Sequence, residues 1–181
     1  MVDRFEELLL AAKEGEPWAW EHIYRTYAPP VTGYLAVRGA NEPEDLTSET
    51  LFHVARSIDR FEGSEESFRS WVFVIAHRRL IDDRRSAGRR VEQTELDHDL
   101  VETGGDVETE ALNSLALNDM HDLLEPLTDD QRAVIALRLI ADLSLAETAE
   151  IVGKRVGSVK ALQRRALATL KRHLEAEGVS R

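Results

Sequence analysis

The 181-residue sequence predicts an all-α protein: two small helical domains joined by an acidic linker, the C-terminal one a helix-turn-helix. Three observations carry that prediction. Apolar residues recur at three and four residues rather than at two, so they share helical faces. Capping patterns precede these runs, as in Thr128 with Gln131 and Ser144 with Glu147. No segment has an alternating strand pattern of comparable quality.

The elements follow in order. Asp3 followed by Glu6 is a capping-box pattern, and Phe5, Leu8, Leu9 and Ala12 form a helical face that stops at Gly15. Pro17 suits the opening turn of a second helix carrying Trp18, Trp20, Ile23, Tyr24 and Tyr27, which Pro29-Pro30 is expected to break. A short third helix is expected from about Val31 to Val37. Asn41 with Pro43 starts a fourth, with Leu51, Val54, Ala55 and Ile58 on its buried face. After the loop Asp59-Arg60-Phe61-Glu62-Gly63-Ser64, a fifth helix begins near Ser67. It is apolar through Phe68, Trp71, Val72, Ile75 and Leu80, then basic.

Residues 91 to 112 read as a linker, because Thr103-Gly104-Gly105 interrupts a stretch without apolar periodicity. Beyond it Leu112 to Leu124 is a helical run, and the Thr128 capping box opens a helix with Val134, Ile135, Leu137 and Leu139. The Ser144 box opens another, with Leu145, Ala149 and Val152 on one face, ending at Gly153. A last helix repeats Val159, Leu162, Ala166 and Leu170 at three and four.

Composition narrows the function. With 43% apolar and 31% charged residues the chain has material for a core and is not wholly disordered. The absence of cysteine excludes a disulfide framework, a thiolate zinc site and a cysteine nucleophile. The acids at the N-terminus do not suit a secretory signal, and no apolar run approaches membrane-spanning length, so a cytoplasmic protein with no direct membrane contact is expected. The six histidines are scattered, and no phosphate loop or nucleophile elbow is present. No enzyme, metal or cofactor is therefore expected.

The net charge of −11 is unevenly placed. Eight acids and no Lys or Arg lie between Val91 and Ala111, so the rest of the chain is nearly balanced. That linker reads as a solubilising tether, as a segment that threads a basic channel in a partner, or as a competitor with nucleic acid for basic surfaces, in which case its excision improves non-specific DNA binding. Arg78, Arg79, Arg84, Arg85, Arg89 and Arg90 form one basic cluster, opposed by Asp82 and Asp83 and preceded by Phe61, Phe68 and Trp71. Rings beside cations suit single-stranded DNA, although Phe and Trp at helical spacing are usually core. From Gly153 to Leu174 there are seven Lys or Arg and no acid. With the apolar stripe inward, Ser158, Lys160, Ala161, Arg164 and Arg165 face outward, as entry into a major groove demands. Asp45, Glu49, Phe52 and Arg56 share one side of the fourth helix. A ring among carboxylates there suggests docking to a basic protein surface, or else a partly buried Phe with solvated neighbours.

In this order the segments resemble the extracytoplasmic function (ECF, group 4) sigma factors of the bacterial sigma-70 family. The resemblance spans nearly the whole chain. It rests on Glu44-Asp45-Leu46-Thr47-Ser48-Glu49-Thr50-Leu51-Phe52, on Phe68-Arg69-Ser70-Trp71-Val72-Phe73-Val74-Ile75-Ala76-His77, and on Leu143 to Gly153 with Val156-Gly157-Ser158-Val159-Lys160. It implies a promoter minus-ten domain over residues 1 to 90 and a minus-thirty-five domain over 113 to 181. Core RNA polymerase, through its β′ clamp and β flap, promoter DNA and an anti-sigma factor are the implied partners. Asp45, Leu46, Glu49 and Phe52 match clamp-contacting positions. The loop from Phe61 to Ser67 matches the loop that captures a flipped base. The minus-ten positions so implied are Phe61, Glu62, Ser64, Phe68, Arg69, Trp71, His77, Arg78 and Arg85. Arg155 joins Ser158, Lys160, Ala161, Arg164 and Arg165 as the minus-thirty-five set.

The sequence departs from the family pattern in three places. Ser48 stands where Gln is frequent, Arg155 replaces a capping Ser or Thr, and Ala161-Leu162-Gln163 differs from Ser-Arg-Leu. The family's base contacts do not carry over at those last positions. A free-standing helix-turn-helix regulator would use the second domain alike but need no acidic stripe. A small hydrolase built on Asp82-Asp83 is the third reading.

Overall fold

The computed structural model describes residues 4–91, 120, 122–176 and 178. The expected Asp3 cap, the linker and most of the helical run from Leu112 lie outside the described residues, as do the side chains of Arg89 and Arg90. Among the described residues the regular structure is helical and no strand occurs. In chain order the elements are α1 (Arg4–Lys13), α2 (Pro17–Val37), α3 (Pro43–Ser57), a 3-10 turn (Ile58–Arg60), α4 (Glu65–Val91), α5 (Asp129–Leu139), α6 (Leu145–Ile151) and α7 (Val156–Ala176).

α1 buries Phe5, Leu8, Ala11 and Ala12, and Gly15, at φ 81°, turns the chain into α2. Pro29 and Pro30 do not break α2, which runs unbroken for 21 residues. Each interior proline removes an N–H donor and costs about 3 kcal/mol. Tyr27, Ala28, Val31, Tyr34, Leu35 and Val37 nevertheless hold the same buried face on both sides of the pair. Burial at about 1.5–3 kcal/mol for each large apolar side chain outweighs the proline penalty. The expected short helix from Val31 is the second half of α2.

α3 starts at Pro43, with Glu42 in the N-cap position. Its inner face is Leu46, Thr47, Thr50, Leu51 and Val54. The Thr47 hydroxyl donates to the Pro43 carbonyl and that of Thr50 to the Leu46 carbonyl, both at 2.7 Å, so these buried hydroxyls are satisfied within the helix. α4 begins at Glu65, two residues before the expected Ser67, and is 27 residues long. It packs Phe68, Val72, Phe73, Ala76 and Leu80 against α2 and α3. Phe68 has no exposed surface and meets Phe5, Tyr27, Phe61 and Trp71, with ring centroids 5.1–5.6 Å apart.

In the C-terminal part both expected capping boxes form. The Thr128 hydroxyl accepts from the Gln131 N–H and the Gln131 side chain from the Thr128 N–H; Ser144 and Glu147 repeat the arrangement. Val134, Ala149 and Val159 lock α5, α6 and α7 together. The rest of this part does not stand apart from the first. α2 packs on α5 and α4 on α6, and Leu124, Leu127, Ile135, Leu137 and Leu143 belong to the same buried cluster as Tyr34 and Phe73.

Candidate functional site

On α3 the inward Leu46, Leu51 and Val54 turn the opposite side to solvent, and Asp45, Glu49, Phe52 and Arg56 all lie there exposed. Phe52 is 64% exposed, with the Arg56 guanidinium 5.7 Å from its ring centre. The ring is a surface group, with most of its area open to solvent. Glu49 reaches Arg79 of α4 at 3.9 Å, an exposed pair of little energetic weight. Leu46 is 7% exposed and faces the core, so it supports the stripe from beneath rather than joining it.

The second surface is the loop before α4 together with that helix. Phe61 and Phe68 are buried and Trp71 is half-buried, stacked on Phe61 at 5.1 Å and 26°. The rings of Phe61 and Phe68 form the floor of the loop and offer no free face to a base. Glu62 and Ser64 stand exposed above them. Gly63 has φ 146°, and a Cβ there would lie 3.2 Å from Ser67 Cβ and 3.4 Å from the Phe61 ring, so the turn requires glycine. Ser64 accepts from the Ser67 N–H at 3.3 Å, and its hydroxyl helps to hold the Glu66 carboxyl below the usual range. Arg78 and Arg85 are exposed on α4; Arg85 pairs with Asp82 at 3.8 Å.

His77 is tied inward, not outward. Its Nδ1 shares a 2.7 Å hydrogen bond with the Tyr34 hydroxyl. Burial first, then the charges of Arg38 and Arg84, push the imidazole down to about 4, while burial pushes the Tyr34 phenol up to about 12. Both groups are neutral near pH 7.

The third surface is the α6–α7 pair. Gly153 at φ 64° and the Lys154 N–H to Ala149 carbonyl bond of 2.9 Å make the tight turn, and Ala149 is small where the helices meet. Arg155, Ser158, Lys160, Arg164 and Arg165 are exposed, and Ala161 is half-buried. Arg155, Ser158, Ala161 and Arg165 border one shallow concavity together with Lys154, which pairs with Asp130 at 2.9 Å.

A set of charges that sequence reasoning missed joins the two parts. Arg38, at the end of α2, is 2% exposed and donates to Asp129 at 3.0 Å. Arg84 donates to the same carboxylate at 3.3 Å and to the Arg38 carbonyl. Burial alone would raise the Asp129 carboxyl, but Arg38 and Arg84 hold it below its ordinary value. Asp142 reaches Arg69 at 3.4 Å. Asp129 follows the Thr128 cap, which explains an acid there without a distant partner, so no sequence signal exposed it.

The fold and these surfaces define a class: an all-helical, two-part DNA-binding protein with a helix-turn-helix in its second part. Sigma-70 region 2 matches residues 23–90 and sigma-70 region 4 matches residues 123–172. The ECF RNA polymerase sigma factor BldN of Streptomyces coelicolor is 36% identical over 176 residues, covering 94% of this chain; the chain spans 66% of that relative's length. The ECF RNA polymerase sigma factor SigX of Bacillus subtilis is 32% identical over 165 residues, 84% of this chain and 82% of that protein. In fold, the chain is similar to the sigma factor RpoE in complex with the anti-sigma factor NepR from Bartonella quintana, with a TM-score of 0.65 and 24% identity over 89% of this chain and 98% of that one. It is also similar to CnrH in complex with the cytosolic domain of CnrY, at a TM-score of 0.63 and 22% identity over 93% and 96%. The chain belongs to the extracytoplasmic function RNA polymerase sigma factors of the sigma-70 family.

Among the described residues no helix is long and apolar enough to cross a membrane, and no group of three or more His, Asp or Glu could hold a metal ion.

Proposed function

We propose that the chain is a promoter-specificity subunit: it recruits core RNA polymerase, brings it to particular promoters, opens the minus-ten region and leaves after initiation. The observation that carries this reading is the exposed Phe52 among carboxylates on α3. A surface ring supplies apolar burial to a partner, and Asp45 and Glu49 set orientation against a basic face. The polymerase β′ clamp is that face in this reading.

Residues 1 to 90 act as the minus-ten domain and 113 to 181 as the minus-thirty-five domain. Arg78 and Arg85 neutralise phosphates along α4. Glu62, Ser64 and the loop backbone receive a base turned out of the stack, whose extrusion costs a few kcal/mol and is offset by contacts in the loop. Promoter opening makes and breaks no covalent bond, so the subunit needs no catalytic group. Arg155, Ser158, Lys160, Arg164 and Arg165 meet the upstream element in the major groove, while the same domain rests on the β flap. An anti-sigma factor holds the protein inactive by covering these surfaces. In the closed arrangement Arg69 is already occupied by Asp142, so the second part separates from the first before Arg69 meets a phosphate.

Run-off transcription with purified core polymerase and a genomic promoter library, with and without the chain, tests the reading. Transcripts from a defined promoter subset that require the chain are expected. An unchanged transcript set contradicts it.

A further inference from the structure

Lys13 ends α1 and lies 48 residues from the loop before α4, yet its ammonium donates to the Phe61 carbonyl at 2.8 Å. That bond completes the fixation of Phe61. Its N–H is held by the Ile58 carbonyl at 2.9 Å, and its ring lies against Trp71 and Phe68. At the other end of the loop Ser64 accepts from the N–H groups of Ser67 and Phe68. Between these anchors lie Glu62 and Gly63, and a Cβ on Gly63 would crowd Ser67 and the Phe61 ring. The Phe61 carbonyl belongs to the peptide that leads into Glu62, so its direction sets where the exposed loop backbone points.

We infer that Lys13 is a positioning residue for base selection: by gripping the Phe61 carbonyl it fixes the loop that receives the flipped minus-ten base. The inference rests on the promoter-opening function proposed above. A half-buried ammonium suits this role better than a neutral donor, because charge-assisted hydrogen bonds are roughly twice as strong as neutral ones. The contact comes from α1, outside residues 23–90 that match sigma-70 region 2.

The test compares wild type, Lys13→Met and Lys13→Arg. Met keeps the apolar stem without the donor, and Arg keeps both charge and donors. Each full-length chain is assembled with core polymerase and used to select open complexes from a library randomised across the minus-ten element. For Lys13→Met, preference at the flipped position falls roughly tenfold, the other positions keep their preferences and core affinity stays within about twofold. Lys13→Arg restores the preference. Equal sharpness in Lys13→Met, or a uniform loss across all positions that Lys13→Arg fails to reverse, overturns the inference.

Amide exchange on the chain alone gives a readout independent of polymerase. Lys13→Met speeds exchange at the bonded Phe61 and Ser67 amides roughly tenfold relative to the helix α2 core, and Lys13→Arg does not. Unchanged exchange at both amides overturns the tether. If wild-type holoenzyme selects no promoter while exchange responds as expected, the promoter-opening reading fails and the grip of Lys13 on the loop stands.

Discussion

At the scale of single residues, the Tyr34–His77 pair has the clearest solution signature. His77 is held neutral with its titration at about 4, against an ordinary value near 6.5. Below pH 6.5 the unfolded chain binds a proton that the folded chain refuses, so the stabilisation is full above that pH and is lost as pH falls toward 4. Between pH 6.5 and 5 the loss from this group is about 1 to 2 kcal/mol after allowance for partial exposure. Urea titrations of wild type and His77→Gln check this: the wild-type curve falls more steeply with acid, and parallel curves for the two proteins contradict the account. The residue scale is also where sequence reasoning was least able to assign roles. His77 is followed by two arginines in the sequence, and nothing in its neighbours signals a phenol 43 positions away. Phe61 and Phe68 read more readily as core than as stacking surfaces, and the packing of Phe68 on Phe5 and Tyr27, with Phe61 against Phe68, bears out core. Phe52 stood at the same fork and came out on the surface, because Leu51 and Val54 had already claimed the inward face of α3.

At the scale of elements, local chemistry was legible wherever it was self-contained. The two capping boxes, the glycine turn before α7 and the apolar stripe of α4 need only neighbours a few residues away, and all formed as read. α2 was misread because its fate depends on distant partners. Proline is a local signal to stop, whereas the reward for continuing comes from α3 and α4 packing on Val31, Tyr34 and Leu35. Pro29 is exposed, so it contributes little of that packing. Pro29→Ala restores a backbone donor at a helix interior and is expected to stabilise the protein by about 1 kcal/mol or more, raising Tm by roughly 2–4 °C. A lower Tm contradicts the view that α2 tolerates its prolines only because of tertiary burial. Asp142 shows the opposite balance. It takes φ 52°, a left-handed conformation that Asp accepts more readily than most residues, and Arg138 donates to the Leu143 carbonyl beside it. The turn thereby presents its carboxylate to Arg69.

At the scale of the whole molecule, the described residues of the two parts share one buried cluster and three ion pairs, Asp129 with Arg38, Asp129 with Arg84, and Asp142 with Arg69. Arg38 is the costly member: burial lowers its affinity for a proton, and its Nε and Nη1 atoms are without hydrogen-bond partners. Removing the carboxylate it faces leaves a buried cation unpaired, and in general that is strongly destabilising. The variant Asp129→Arg/Asp142→Asn is therefore expected to separate the two parts while each keeps its helices. Small-angle scattering should give a larger radius of gyration at unchanged helical circular dichroism. An unchanged radius would show that the apolar contact alone holds the closed form. None of these contacts was legible in the sequence, since charge pairing across 91 residues leaves no periodic trace.

In the proposed function the α3 stripe is what grips polymerase. Sedimentation velocity of the full chain mixed with core polymerase at micromolar concentration measures that grip directly. Wild type should sediment with the polymerase, and Asp45→Arg/Glu49→Arg should sediment alone at an unchanged thermal midpoint. Comigration of the double variant as complete as that of wild type, or independent sedimentation of wild type, contradicts it.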